Sequence, residues 1–118
     1  MENKKELGGL GEAYAARYLQ HLGHRIIVKN YTCRQGEIDI ISLDGETLVF
    51  TEVRVRSYKG QVSSEDSITP EKQRRIRRAA EHYLVNKSIE PTPVCRFDVI
   101  ALTHNNSEWK LRYYIDAF

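Results

Sequence analysis

The sequence predicts an α/β domain with the element order αβββα followed by two strands, and three observations carry that order. Apolar residues at helical spacing open the chain. Three consecutive β-rich runs follow, the second and third joined by an Asp-Gly turn signal. A Thr-Pro-Glu start then opens a second helix ahead of two further β-rich runs. At 118 residues the chain reads as one domain, 1–118, with room for a single core and one site.

The first helix is predicted over 5–22, where Leu7, Leu10, Tyr14, Tyr18 and Leu22 recur at helical spacing and Gly23 suits the C-terminal cap. The run HRIIVKNYTC, 24–33, is the first strand, and a turn at Gln35-Gly36 leads into EIDIISL. Asp44-Gly45 is the hairpin turn into ETLVFTEVRVR. Residues 57–68, polar and Gly/Ser-containing, read as a loop long enough to act as a flap. Thr69 as N-cap, Pro70 at the first helical position and Glu71 near the helix dipole start a helix over about 70–87. After Pro91 and Pro93, 94–104 form a strand, 105–107 a turn and 108–118 a closing strand.

Composition excludes several classes of function. Hydrophobic residues make up 41% and charged residues 29%, which suits a folded domain rather than a disordered chain. A net charge of +2 is too small to diagnose a nucleic-acid binder, so a basic footprint has to come from clustering. Cys33 and Cys95 are too isolated for a zinc site or a disulfide framework and read as reduced thiols. No signal-type apolar run and no stretch near the ~20 apolar residues of a membrane span is present, so the expectation is a cytoplasmic protein without a membrane partner. His21, His24, His82 and His104 lack ligand spacing, and neither a Gly-rich phosphate loop nor a nucleophile motif occurs.

The hairpin places charges. With Asp44-Gly45 as a two-residue loop, Ile41 faces Leu48, Asp39 faces Phe50 and Glu37 faces Glu52. Glu37, Asp39, Ile41, Leu48, Phe50, Glu52 and Arg54 then share one face, while Ile38, Ile40, Val49, Thr51, Val53 and Val55 form the better core face. Asp39 and Glu52 become diagonal neighbours, with backbones about 7–8 Å apart and side chains able to converge on one ion. Two such carboxylates repel unless a cation lies between them, and oxygen-only ligands favour Mg²⁺ or Mn²⁺. The same spacing also fits a solvated sheet edge in which Glu52 pairs with Arg54 or Arg56 and Asp39 caps a turn.

Glu12, on the helical stripe of Ala15, Leu19 and Leu22, is either a third carboxylate facing the sheet or an exposed surface glutamate. The second helix concentrates positive charge: Lys72, Arg74, Arg75, Arg77 and Arg78 within seven residues. Phosphate answers such a cluster through bidentate arginine contacts and counterion release, whereas the plainer alternative is a solvated face balanced by Glu71 and Glu81. Gln73 falls on the predicted inward stripe with Ile76, Ala80, Tyr83 and Leu84, placed to orient a water or a phosphate.

Four motifs in order, GxxGE at Gly8–Glu12, GEID at Gly36–Asp39, LVFTEVRVR at Leu48–Arg56 and RFDVI at Arg96–Ile100, resemble the YraN-like family of bacterial proteins, placed within the PD-(D/E)xK nuclease superfamily and similar to archaeal-type Holliday junction resolvases. The resemblance implies a restriction-endonuclease-like αβββαβ core, a mixed central sheet flanked by helices. It implies a metal-dependent phosphodiesterase site in which Asp39 and Glu52 bind Mg²⁺, Glu12 completes the acidic set and Gln73 is the polar residue of the second core helix. Arg54 stands where the superfamily pattern has a lysine; it can stabilise phosphoryl charge but cannot act as a general base.

The sequence reading is therefore a nucleic-acid-binding, Mg²⁺-dependent endonuclease-like protein acting on structured DNA such as branched junctions. Asp39 and Glu52 hold the ion, Arg54 clamps the phosphate, and Arg56 with the cations of the second helix positions the backbone. The alternative is a catalytically inactive nucleic-acid-binding or partner-binding module on the same fold, with the aromatic and β-branched edge WKLRYYI offering homodimerisation.

Overall fold

The structure is a computed structural model that describes residues 4–57 and 68–118. The elements are α1 (Lys4–His21), β1 (Arg25–Cys33), β2 (Gly36–Asp44), β3 (Thr47–Ser57), α2 (Pro70–Asn86), β4 (Cys95–Asn105) and β5 (Glu108–Tyr114), the order expected from the sequence. The five strands form one mixed sheet in the order β1-β2-β3-β4-β5, with β3 and β4 parallel and every other pair antiparallel. The parallel pair requires a crossover, and α2 lies within it. The flap expected over 57–68 falls almost wholly outside the described residues.

Two apolar clusters sit on opposite faces of the sheet. On one face Ile76, Ala79, Ala80 and Tyr83 of α2 pack on Ile38, Ile41, Leu48, Phe50 and Val99. On the other, Ala15, Ala16 and Leu19 of α1 pack on Ile40, Ile100 and Leu102. Fully burying an Ile, Leu or Phe contributes about 1.5–3 kcal/mol, so each helix is fixed to its face by several such terms. The α2 start is as expected: Thr69 Oγ1 accepts the Lys72 N–H at 3.2 Å, and Pro70 occupies the first turn.

The α1 surface differs from expectation. Leu10, Tyr14 and Leu22 are 52%, 41% and 47% exposed, and the buried line is instead Leu7, Gly11, Ala15, Ala16 and Leu19. Small residues win because the helix lies very close to β3: a Cβ on Gly11 would come within 2.4 Å of Val55 Cγ2. On α2, Ala79 replaces Gln73 and Leu84 in the fully buried stripe; both of those are half-buried.

The hairpin register is shifted from expectation. Asp44 pairs with Thr47, so the two turn residues are Gly45 and Glu46, with Gly45 at φ +62° in the left-handed region that two-residue turns favour. Ile41 therefore faces Phe50 and Leu43 faces Leu48. Each partner moves by two residues, which leaves the face of β3 side chains unchanged, since side chains alternate with a period of two. The closing strand ends at Tyr114 rather than 118; Ala117 N–H then donates to Phe97 O at 2.7 Å, and Phe118 stacks on Phe97.

A second departure lies in β1 and β2 together. Ile38 belongs to the α2-side cluster, not to the face of Ile40, and Ile38 and Ile41 share that cluster although three residues separate them. Their partners Tyr31 and Val28 do the same on β1. Strict alternation is thus broken in both strands at one place, where Asn30 adopts φ +56° and Asp39 stands between Ile38 and Ile40. Asn is among the few non-glycine residues that enter the left-handed region at low cost.

Candidate active site

This pucker builds the site. The β2–β3 ladder ends at Ile40 and Thr51, and beyond it the Asp39 side chain takes over a backbone role: Asp39 Oδ2 accepts the Val53 N–H at 2.7 Å. Asp39 is thereby held against β3 and in hydrogen-bonding contact with the Glu52 carboxyl. Glu52 itself is buried, 5% exposed, which is a costly place for a carboxylate without a partner. Its partner comes from α2, where Lys72 Nζ lies 2.6 Å from Glu52 Oε2.

Glu12 approaches from α1, half-buried. Asn30, exposed in the pucker, hydrogen-bonds the Glu12 carboxylate, and Glu37 and Glu52 are near enough to act on it electrostatically. Gly11, by letting α1 meet Val55, sets the depth at which Glu12 enters. The site thus draws on four elements: α1, β2, β3 and α2.

Its electrostatics follow from burial. Burial, with the hydrogen bond and negative charge of Glu52, pushes the Asp39 carboxyl up from 3.8 to about 8. The backbone N–H of Val53 opposes that rise without cancelling it. Burial also raises the Glu12 carboxyl, the Asn30 hydrogen bond holding it back and Glu37 and Glu52 pushing the same way as burial. The cluster is short of positive charge even with Lys72 in place.

The remaining expected site residues are distributed as follows. Arg54 and Arg56 lie beyond Glu52 on β3, half-buried. Gln73 is close to the cluster through the turn that precedes it, but its side-chain amide donates to Ile68 O at 2.9 Å, a tie that closes the start of α2. Lys72, expected on a phosphate-binding surface, instead reaches the carboxylates. The other cations of α2 are exposed, and two of them have neighbours within the chain: Arg75 pairs with Glu71 at 3.2 Å, and the Arg77 guanidinium lies 4.7 Å from the centre of the Phe97 ring. Among the described residues, no group of three or more His, Cys, Asp or Glu side chains is arranged to hold a metal ion. Two site residues had not been singled out from the sequence as members of the cluster, Asn30 and Lys72. The signal for Asn30 was an asparagine in the middle of a β-rich run.

The model of the family described as "Uncharacterised protein family UPF0102" matches residues 11–102. This chain belongs to that family. Three of the four motifs, Gly36–Asp39, Leu48–Arg56 and Arg96–Ile100, lie wholly within the matched residues, as do Glu12, Asn30 and Lys72. Among its relatives, a UPF0102 protein of Nitrosospira multiformis is 47% identical over 107 residues, covering 86% of this chain and 87% of the relative. A UPF0102 protein of Herminiimonas arsenicoxydans is 45% identical over 103 residues, covering 87% and 82%. One of Chlorobium limicola is 43% identical over 118 residues, covering 95% and 91%. This UPF0102 chain has no helix, among the described residues, long and apolar enough to cross a membrane.

Proposed function

We propose that this UPF0102 chain is a metal-dependent phosphodiesterase of the PD-(D/E)xK type, on a restriction-endonuclease-like core, that acts on structured DNA such as branched junctions. The observation that carries the reading is the convergence of Asp39 and Glu52 at a pucker of the sheet, with Glu12 behind them and Lys72 on Glu52. A strained, buried and charged arrangement of this kind destabilises the fold, and such arrangements concentrate at functional sites.

The residues suit a hard divalent cation. Their donors are carboxylate oxygens, and the raised Asp39 carboxyl marks a missing positive charge. Asp39 and Glu52 would hold Mg²⁺ or Mn²⁺, a two-carboxylate set that such ions accept, and the bound ion would supply Lewis-acid stabilisation of the phosphoryl oxygens. The chain's own part is electrostatic and positional. Arg54, in the row next to Glu52 on the same strand face, clamps the scissile phosphate, and its guanidinium stays charged throughout. Lys72 holds Glu52 ionised and in place before substrate arrives.

The test is a cleavage assay on a labelled four-way DNA junction with and without Mg²⁺ or Mn²⁺. Cleavage that needs the ion and is lost in Asp39→Ala and Glu52→Ala supports the reading; cleavage unchanged by both substitutions sinks it. Arg54 favours one second reading, a nucleic-acid-binding module without chemistry. That reading expects junction binding that survives chelation, no cleavage by the native chain, and a gain of cleavage in Arg54→Lys.

A further inference from the structure

Only part of the α2-side face of the sheet is covered by α2, whose contacts run chiefly to β2 and β1. The rest of that face belongs to β3, β4 and β5, and the register sets out its side chains. Glu52, Val99 and Tyr114 form one transverse row, Arg54, Ala101 and Arg112 the next, and Arg56, Thr103 and Lys110 the third. Val99 packs in the α2-side cluster, which places all three rows on that face. Leu102 and its partner Leu111 belong to the opposite, α1-side cluster, as alternation requires.

The result is a strip of small side chains, Ala101 and Thr103, flanked by arginines of β3 and by Arg112 and Lys110 of β5. The two flanks stand two strand spacings apart, roughly 10 Å. Arg112, Lys110 and Tyr114 are exposed, and Arg54 and Arg56 half-buried. Glu52, paired with Lys72, closes one end of the strip, and Glu108, opposite Asn105, closes the other. Four cations on one sheet face with acids only at its ends form a positive trough leading to the carboxylates.

We propose that this trough binds the sugar-phosphate backbone of a nucleic-acid strand and leads it to Asp39 and Glu52, with Arg54, Arg56, Arg112 and Lys110 as phosphate ligands and the Tyr114 ring as a platform for a base. The proposal rests on the nuclease reading above and adds to it residues of β5 and a direction of approach across the sheet, distinct from the exposed arginines of α2. Charge complementarity selects the occupant: a polyanion with evenly spaced phosphates satisfies both flanks at once, and guanidinium forks bind phosphate bidentately. Tyr114 adds the aromatic face that unpaired bases stack on.

The experiment is fluorescence anisotropy of a labelled four-way DNA junction, in EDTA, at stepped KCl concentrations, for the full chain and its variants. Arg112→Gln and Lys110→Gln are each expected to weaken binding several-fold and to lower the slope of log affinity against log salt by about 1. Arg112→Lys should keep the slope. Arg25→Gln, on the opposite edge of the sheet, and Lys87→Gln, beyond the end of α2, should leave both quantities unchanged. Melting temperatures of the variants check that the exposed β5 positions leave the fold intact. If the native chain binds the junction but Arg112→Gln and Lys110→Gln bind equally well, or no worse than the Arg25 and Lys87 controls, the trough is overturned and the nuclease reading stands. If the native chain binds no junction at low salt, or binds anionic phospholipid vesicles through Arg112 and not DNA, both fall.

Discussion

Lys72 Nζ lies 2.6 Å from Glu52 Oε2, and the two residues differ sharply in exposure: the lysine side chain is 55% exposed and the glutamate 6%. The lysine is the mobile half of the pair. Removing it strands a buried carboxylate beside Asp39, whereas removing the glutamate releases a lysine to water. Lys72→Met is therefore expected to destabilise the fold by about 1–3 kcal/mol, between the figures for exposed and buried pairs. The Glu52→Gln/Lys72→Met double variant should lose less than the two single losses added together. Urea unfolding at neutral pH reads both. Mn²⁺ should restore more stability to Lys72→Met than to the native chain, because the ion then meets no competing ammonium at Glu52; equal shifts would remove Lys72 from the site's electrostatics.

Asp39 makes the site pH-dependent. Its carboxyl, ordinarily at 3.8, is raised to about 8 by burial and by Glu52, so the folded chain keeps this proton over a range in which the unfolded chain has lost it. The folded state then binds more protons, and stability falls as pH rises from about 4 through about 8. Asp39→Asn keeps an oxygen for the Val53 N–H and removes the titration. The variant is expected to melt at the native temperature near pH 4 and several degrees above it at pH 8–9, in EDTA. A difference between the two proteins that does not change with pH would show that Asp39 is ionised across the whole range.

The element order, the α2 cap and the pairing of acids with basic residues were legible because each is a local pattern: periodicity, a Thr-Pro-Glu start, an Asp-Gly turn. Three features were not. The inner face of α1 was misread because Leu10, Tyr14 and Leu22 look like a core stripe, whereas the tight approach to β3 admits only Gly11, Ala15 and their neighbours. The hairpin turn moved by one residue because Gly45 serves equally as first or second turn residue, and Asp44 to Thr47 pairing chose the first. The pucker at Asn30 and Asp39 was hidden because alternation is an assumption about each strand alone, and here two strands break it together. The expected proximity of Asp39 and Glu52 thus came with a different geometry behind it.

Two glycines of α1 should respond to alanine with opposite signs. A Cβ at Gly8 meets nothing within 4 Å, so Gly8→Ala gains helix propensity, about 0.5–1 kcal/mol. A Cβ at Gly11 meets Val55 Cγ2 at 2.4 Å, and valine is β-branched and stiff, so Gly11→Ala forces the helix off β3 at a cost of about 1–3 kcal/mol. Adding Val55→Ala to Gly11→Ala should recover part of that loss. Chemical denaturation of the four proteins checks this, and a stabilised Gly11→Ala would mean that α1 does not depend on this contact. Because Glu12 follows Gly11, the same variant should also weaken whatever Glu12 contributes to cleavage.

The α1-side face carries a second charged cluster whose role is structural. Asp98 is fully buried on β4 and every oxygen is engaged: Arg96 Nε donates to Oδ1 at 2.9 Å, Arg96 Nη2 to Oδ2 at 2.9 Å, the Asp116 N–H to Oδ1 at 2.9 Å, and the Tyr113 hydroxyl to Oδ2. Burial, then the bond to Asp98, pushes the Tyr113 hydroxyl well above its ordinary range, so it remains a donor at any physiological pH. Arg96 also reaches Asp44 at 3.3 Å, joining the start of β4 to the end of β2 and, through Asp44, to the neighbourhood of His24. Arg96→Ala leaves Asp98 buried without its counter-ion and is expected to cost about 3–5 kcal/mol, against about 1–2 kcal/mol for Tyr113→Phe, which removes one neutral donor. A smaller loss in Arg96→Ala than in Tyr113→Phe would reverse this order and make the hydroxyl, not the guanidinium, the group that keeps Asp98 inside the fold.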